Sequence, residues 1–318
     1  MNTGKAFKVR VGKRLLDYRV GKSLDLDEVK DFFKKNYKVV KIWWGGRHVF
    51  GYIENNNKKL FLKLATTEGV SAVSKVEYNW NLDFNKQVPR KNIRFFVPEN
   101  FESGLFKNKL FYLVVDRFDG SLVSEWPADL LISNEFKKDL DDIIKFSELI
   151  QTLDINHLKR PDVISSLDSR KWFFKKTKLW FSDIPKDVVK LYKIYELLKL
   201  IENGVAVLRQ RPRHGDFAPW HIFKLKSGRF GLIDGEHAMA NSVENYDIAY
   251  FIQRVFSVLK SPDTALQIYI KLTKRGYRVE VLKTVLAARA IGGFLDESQV
   301  CSPNYDYATS FRDWVLKI

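Results

Sequence analysis

A chain of 318 residues can bury two cores of ordinary size or one large one. With 45% hydrophobic and 29% charged residues it is no disordered chain, and no apolar run approaches the ~20 residues of a membrane-spanning helix. The net charge of +16 is uneven, since residues 1–63 hold sixteen Lys and Arg against six Asp and Glu; that field suits nucleotides, nucleic acid or an acidic membrane surface, or is simply a solvated lysine-rich face.

In chain order, Val9–Val11 reads as a short strand. Ser23 precedes LDLDEVKDFFKKN, in which Leu26, Val29, Phe32 and Phe33 recur at helical spacing, with acids in the first turn and lysines in the last. Three β-like runs follow: 37–44 (YKVVKIWW), 48–54 (HVFGYIE) and 58–65 (KKLFLKLA). The turns between them, Gly45-Gly46-Arg47 and Asn55-Asn56-Asn57, predict consecutive hairpins and an antiparallel meander. A helix is expected over 70–85 and strands over 94–97 and 109–115. Beyond Phe118-Asp119-Gly120 the pattern turns helical, over 134–156, 166–181, 186–203, 245–259, 264–275 and 279–292, interrupted by one small hairpin around 222–234. This predicts an α+β chain of two lobes: an N-terminal extension at 1–36, a β-rich lobe at 37–117 and a helical lobe at 118–318.

The hairpin carries the candidate chemistry. Asp216 lies on the loop RHGDFAPWH, Asp234 ends the apolar strand Phe230-Gly231-Leu232-Ile233, and Glu236 follows two residues later. Two acids at the ends of one hairpin suit a hard cation, or a base beside a metal-bound phosphate.

His214-Gly215-Asp216, position 221 five residues on, and Asp234 thirteen residues further resemble the aminoglycoside phosphotransferase and choline kinase branch of the protein-kinase-like fold. The resemblance runs from about residue 37 onward. It implies a bilobal protein-kinase-like fold, with an antiparallel N-lobe and a mainly helical C-lobe. It further implies a cytoplasmic small-molecule kinase that moves the γ-phosphoryl group of ATP or GTP to an alcohol. Asp216 would take the hydroxyl proton and Asp234 would hold Mg²⁺. Lys63 would neutralise phosphate charge with Glu77 as its ion-pair partner, and the Gly45-Gly46 turn would let backbone approach the triphosphate. Val115 and Asp116 would stand at the hinge beside the base. His221 departs from the pattern, which has asparagine there: imidazole is a softer metal ligand than an amide oxygen, and Glu236 could compensate.

The other reading is a nucleotide-binding pseudokinase or scaffold whose basic front third contacts an anionic partner, with nucleic acid possible but not favoured. Residues 170–181 (RKWFFKKTKLWF) mix bases and aromatics as a nucleic-acid or membrane contact would. Yet Trp172, Phe173, Leu179 and Trp180 share one helical face, which predicts core packing. A polycationic acceptor would want an acidic pocket, whereas residues 244–318 hold ten Lys and Arg against eight Asp and Glu, with Asp296-Glu297 the one local acidic pair.

Overall fold

The computed structural model describes residues 4–88, 94–125, 134–155, 158, 160–162 and 168–318. The start of the helix expected at 166–181, and Asn156, lie outside them. The chain divides into two compact units, the first made of Met1–Ser121, His157–Val163 and Phe223–Ala238 and the second of the rest.

The first unit opens with a hairpin, β1 (Lys8–Val11) and β2 (Arg14–Asp17), around Gly12 at φ +59. Helix α1 (Leu26–Lys34) starts three residues after Ser23. Its cap is Asp25, whose carboxylate accepts from the N–H groups of Asp27 at 2.9 Å and Glu28 at 3.3 Å. Next come β3 (Lys38–Trp44), β4 (His48–Asn55), β5 (Lys58–Ala65), α2 (Glu68–Gln87, capped by Thr67), β6 (Phe95–Phe96), β7 (Asn100–Phe106), β8 (Leu110–Asp116) and β9 (Gly120–Leu122).

Five of these strands pair antiparallel in the order β3-β4-β5-β8-β7. The two-residue period of a strand then divides β5. Leu60, Leu62 and Leu64 pack with Val49, Ile53, Tyr112 and Val114 under Val29 and Phe33 of α1. Phe61 and Lys63 point to the other face, where Phe61 packs with Phe111, Leu113, Val115 and Tyr78 of α2. Burying one face of β5 under α1 therefore fixes which way Lys63 points.

The second unit is mainly helical: α3 (Asn134–Ile150), α4 (Ser169–Asp183), α5 (Lys186–Leu191) and α6 (Tyr195–Gly204), then strand β10 (Gln210–Arg213). The single helix expected over 186–203 is two, because the chain turns at Lys193, φ 49, a left-handed conformation no helix accommodates. Strands β11 (Ile222–Leu225) and β12 (Phe230–Leu232) form the hairpin seen in the sequence. Instead of interrupting the helices it extends the first unit, because β12 pairs in parallel with β6, Phe230 opposite Phe95. The second unit resumes with β13 (Met239–Val243), which pairs antiparallel with β10, and with α7 (Tyr246–Gln253), whose continuation at Arg254–Val258 is π-helical. It ends with α8 (Pro262–Lys274), α9 (Val279–Glu297) and α10 (Asp306–Lys317). Thirteen residues of α9 are buried, on every side of the helix, so it forms the axis around which α4, α6, α7 and α10 pack.

Candidate active site

In the first unit, four elements converge on Lys63. Its ammonium donates to Glu77 of α2 and to Asp234 at 2.6 Å each, and lies 3.0 Å from Glu236. Burial by itself would lower the Lys63 pKa, but the carboxylates of Asp234, Glu236 and Glu77 outweigh it and keep the ammonium charged. Three acids crowd one cation, with oxygens of Glu77, Asp234 and Glu236 within 4.8 Å of one another. Glu77 takes the consequence: burial, reinforced by its two acidic neighbours and opposed by Lys63, pushes its carboxyl up to about 7.

Asp234 lies just past β12 in the left-handed region at φ 66, a conformation aspartate tolerates better than most residues. The next position must be glycine, because a Cβ on Gly235 would lie 2.4 Å from the Trp80 ring. That tight approach directs Glu236 back into the unit. Its carboxylate is fully buried. One oxygen meets Arg47 at 2.8 Å, and the other lies near His48 (2.9 Å), Lys63 (3.0 Å) and Ser74 (3.0 Å). Burial would raise its pKa, yet Arg47, Lys63 and His48 hold it well below the ordinary carboxylate range. Burial also keeps His48 neutral, and since a carboxylate only accepts, Nε2–H is the donor toward Glu236.

Arg47 belongs to the Gly45-Gly46 turn, so this network ties the turn to α2 and to the end of β12. Gly45 N–H donates to the His48 carbonyl at 2.8 Å, and Gly46 stands at φ +78. A Cβ on Gly45 would lie 2.2 Å from the Phe50 ring, and one on Gly21 would lie 2.3 Å from the Gly46 carbonyl oxygen. The segment after β2 thus backs the turn, with Arg47 Nη1 also donating to the Tyr18 carbonyl at 3.4 Å. This gives the first 36 residues a structural task that their sequence does not announce. Val115 is buried on the Lys63 face of the sheet. Asp116 exchanges hydrogen bonds with the backbone of Glu99, its side chain accepting and its own N–H donating at 3.0 Å. His237, to which the sequence assigns no task, packs against Tyr18 and lies 2.5 Å from Arg160 Nη1.

In the second unit, the loop carrying Asp216 is held by Asp247 in the first turn of α7. Its two carboxylate oxygens accept from the N–H groups of His214 and Gly215, each at 2.8 Å. Burial pushes the Asp247 carboxyl up to about 6 in spite of those bonds. His221 Nδ1 lies 2.8 Å from the Asp216 carbonyl oxygen. A carbonyl can only accept, so Nδ1 carries the hydrogen and Nε2 the lone pair. Burial, with the Asp216 carboxylate adding to it, keeps the Tyr250 phenol protonated, and its hydroxyl accepts from Arg254 Nη2 at 2.8 Å.

The sequence pattern named Lys63, Glu77, Asp216, His221 and Asp234, of which the structure brings Lys63, Glu77 and Asp234 into contact. Glu236, expected as a metal ligand, is fully buried among Arg47, His48 and Lys63, with its oxygens within 4.8 Å of those of Glu77 and Asp234. Sequence reasoning missed Arg47, His48 and Ser74. Arg47 adjoins the glycine turn and could have been suspected; His48 and Ser74 join the site only through strand register and helix phase. In α4, Trp172 and Phe173 are buried as the helical face predicted, while Trp180 is half-buried against Arg289.

No protein-family model matches the chain, and no curated protein matches it in sequence. Solved structures do match it in fold. The aminoglycoside phosphotransferase APH(4)-Ia aligns with a TM-score of 0.66 at 14% identity, over 92% of this chain and 99% of that one. The GDP and kanamycin complex of APH(2")-IIia aligns with a TM-score of 0.61 at 12% identity, over 92% and 98%. Choline kinase LicA from Streptococcus pneumoniae gives 0.52 at 14% identity, over 92% and 97%. The chain thus has the protein-kinase-like fold, with its antiparallel sheet and mainly helical remainder. Among the described residues no helix is long and apolar enough to cross a membrane.

Proposed function

We propose that this protein is a kinase of small molecules, transferring the γ-phosphoryl group of ATP or GTP to an alcohol. The observation that carries the reading is the buried Lys63 ammonium, fixed at 2.6 Å from both Glu77 and Asp234 on a fold shared with nucleotide-dependent phosphotransferases. Of the structures sharing that fold, one of APH(4)-Ia is a ternary complex with ADP and hygromycin B.

In the reaction the acceptor hydroxyl oxygen forms a bond to the γ-phosphorus. The bond from that phosphorus to the β–γ bridging oxygen breaks, and the nucleoside diphosphate leaves with its electron pair. Asp216 receives the hydroxyl proton, its loop held in place by Asp247. Lys63 supplies a fixed positive charge, which needs no reorganisation as charge shifts between phosphate oxygens. Glu77 and Glu236 position that ammonium, and Arg47 couples it to the Gly45-Gly46 turn. Val115 and Asp116 stand where the base would be read.

The donor set fits magnesium at Asp234, whose partly exposed carboxylate offers the hard oxygen this ion prefers. The enclosed Glu236 does not fit, its oxygens already serving three basic groups. His221 can offer only Nε2, a softer donor than the amide oxygen of asparagine. When bound, the metal would neutralise triphosphate charge.

The test is thermal unfolding with EDTA, Mg²⁺, Mg²⁺-ATP and Mg²⁺-GTP, on the wild type and on Asp234→Asn, which keeps a residue that tolerates φ 66. Nucleotide at ~100 times its dissociation constant stabilises the folded state by about 2.7 kcal/mol. The expected result is a Mg²⁺-dependent shift with one nucleotide, lost in the variant. No shift with either nucleotide would overturn the reading and leave a scaffold whose basic front third contacts an anionic partner.

A further inference from the structure

The helices of the second unit hold a cation that the phosphoryl-transfer chemistry does not use. Arg289, on α9, is only 4% exposed. Its guanidinium carbon lies 4.4 Å from the ring centre of Tyr250, 5.1 Å from that of Trp180 and 5.7 Å from that of Tyr246. One nitrogen, Nη1, donates to the Tyr246 hydroxyl at 3.0 Å. Among the described residues no carboxylate lies within ion-pair distance of it, and Nε and Nη2 make no hydrogen bond. Neighbouring Arg254 differs, since it reaches Asp296 at 3.0 Å.

Burying a charge without a counter-charge is costly, and aromatic faces compensate only in part. A guanidinium with unused donors and aromatic walls matches what an oxyanion requires: a planar fork of N–H groups in a place sheltered from water. The adjoining helix positions carry no side chains. Gly292 and Gly293 sit inside α9, where each weakens the helix relative to alanine. A Cβ on Gly292 would lie 3.2 Å from Arg289 Nη2, so glycine keeps that nitrogen uncovered. The position is also close to the chemistry. Tyr250, whose ring carries Arg289 on its face, is buried near enough to Asp216 for that carboxylate's charge to act on its phenol.

We propose that Arg289 binds an acidic group on the acceptor, so that the molecule phosphorylated carries a carboxylate or a phosphate near its reacting hydroxyl. The inference rests on the kinase reading and names its substrate class. The small basic excess of residues 244–318 fits it, as an acidic excess would fit a polyamine.

The experiment uses the full chain and four probes: inorganic phosphate, glycerate, glycerol 3-phosphate and glycerol. Thermal shifts are read with and without Mg²⁺-nucleotide for the wild type, Arg289→Gln and Arg289→Lys, the nucleotide shift showing that each variant is folded. The anions should stabilise the wild type and glycerol should not. Arg289→Gln should lose tenfold or more in anion affinity; Arg289→Lys, which keeps the charge without the fork, should fall between and serves if the glutamine variant does not fold. Matched turnover assays with acidic and neutral alcohols then separate a carboxylate acceptor from a phosphate one. Anion shifts unchanged in both variants would overturn the assignment, as would product formed only with neutral or cationic alcohols. If no nucleotide binds, the kinase reading fails, whereas an Arg289-dependent anion shift would still be visible.

Discussion

Replacing Glu236 by alanine removes a fully buried carboxylate that meets Arg47, His48, Lys63 and Ser74 at 2.8–3.0 Å. Breaking a buried ion pair from one side costs roughly 3–5 kcal/mol, because the remaining charges stay buried without their partner. At about 2–4 °C per kcal/mol for a sizeable chain, the melting temperature should fall on the order of 6–20 °C. Glu236→Gln keeps the volume and one acceptor, so its cost should be nearer 1–3 kcal/mol. Urea unfolding of Glu236→Gln, Arg47→Met and the double variant gives the coupling between the two, expected at about 1–3 kcal/mol for groups in direct contact. Both single variants should also raise the KM for nucleotide, since the Gly45-Gly46 turn and Lys63 lose their common anchor. The reasoning is refuted if Glu236→Ala unfolds within about 0.5 kcal/mol of the wild type. It fails equally if Glu236→Gln weakens only the apparent affinity for Mg²⁺, as a lost metal ligand would.

Three further outcomes follow from the same geometry. Asp216→Asn should lower kcat by roughly 10²–10⁴ while leaving the Mg²⁺-nucleotide thermal shift in place, the signature of a lost proton acceptor. His221→Asn should preserve or raise turnover, because the amide can offer an oxygen where imidazole offers nitrogen; a large loss would show that the ring itself is required. Asp247 titrates near 6 in the folded state against about 3.9 when unfolded. The folded state therefore holds the extra proton between those values, and its contribution is largest below pH 4 and is lost as pH rises through 6. Two units at about 1.4 kcal/mol each amount to about 3 kcal/mol over the whole range, so the wild type should lose roughly 2 kcal/mol between pH 4.5 and 6.5 and Asp247→Asn should lose much less. Denaturant midpoints at the two pH values decide it.

The sequence by itself determined the elements whose signals are local. The glycine and asparagine turns after Trp44 and Glu54 placed β3, β4 and β5 to within a residue or so, because chain reversal and strand alternation depend on neighbouring residues alone. The spacing from Asp216 to position 221 and on to Asp234 likewise pointed to the candidate site before any fold was known. What it could not show were β7 and the short strands β9, β10 and β13, whose pairing rests on distant partners rather than on their own alternation. Nor could it assign the 222–234 hairpin to the first unit, since that follows from β12 lying beside β6. Glu236 is the clearest case. Its chemistry and position beside Asp234 suggested a metal ligand, and only the approach of Gly235 to Trp80 sends its carboxylate inward to Arg47, His48 and Lys63. Arg289 is another: a helical arginine in sequence, it becomes an unmatched charge only when α4, α7 and α9 enclose it with aromatic rings instead of acids. Burial and charge compensation are properties of the assembled neighbourhood, so the tertiary structure alone decides them.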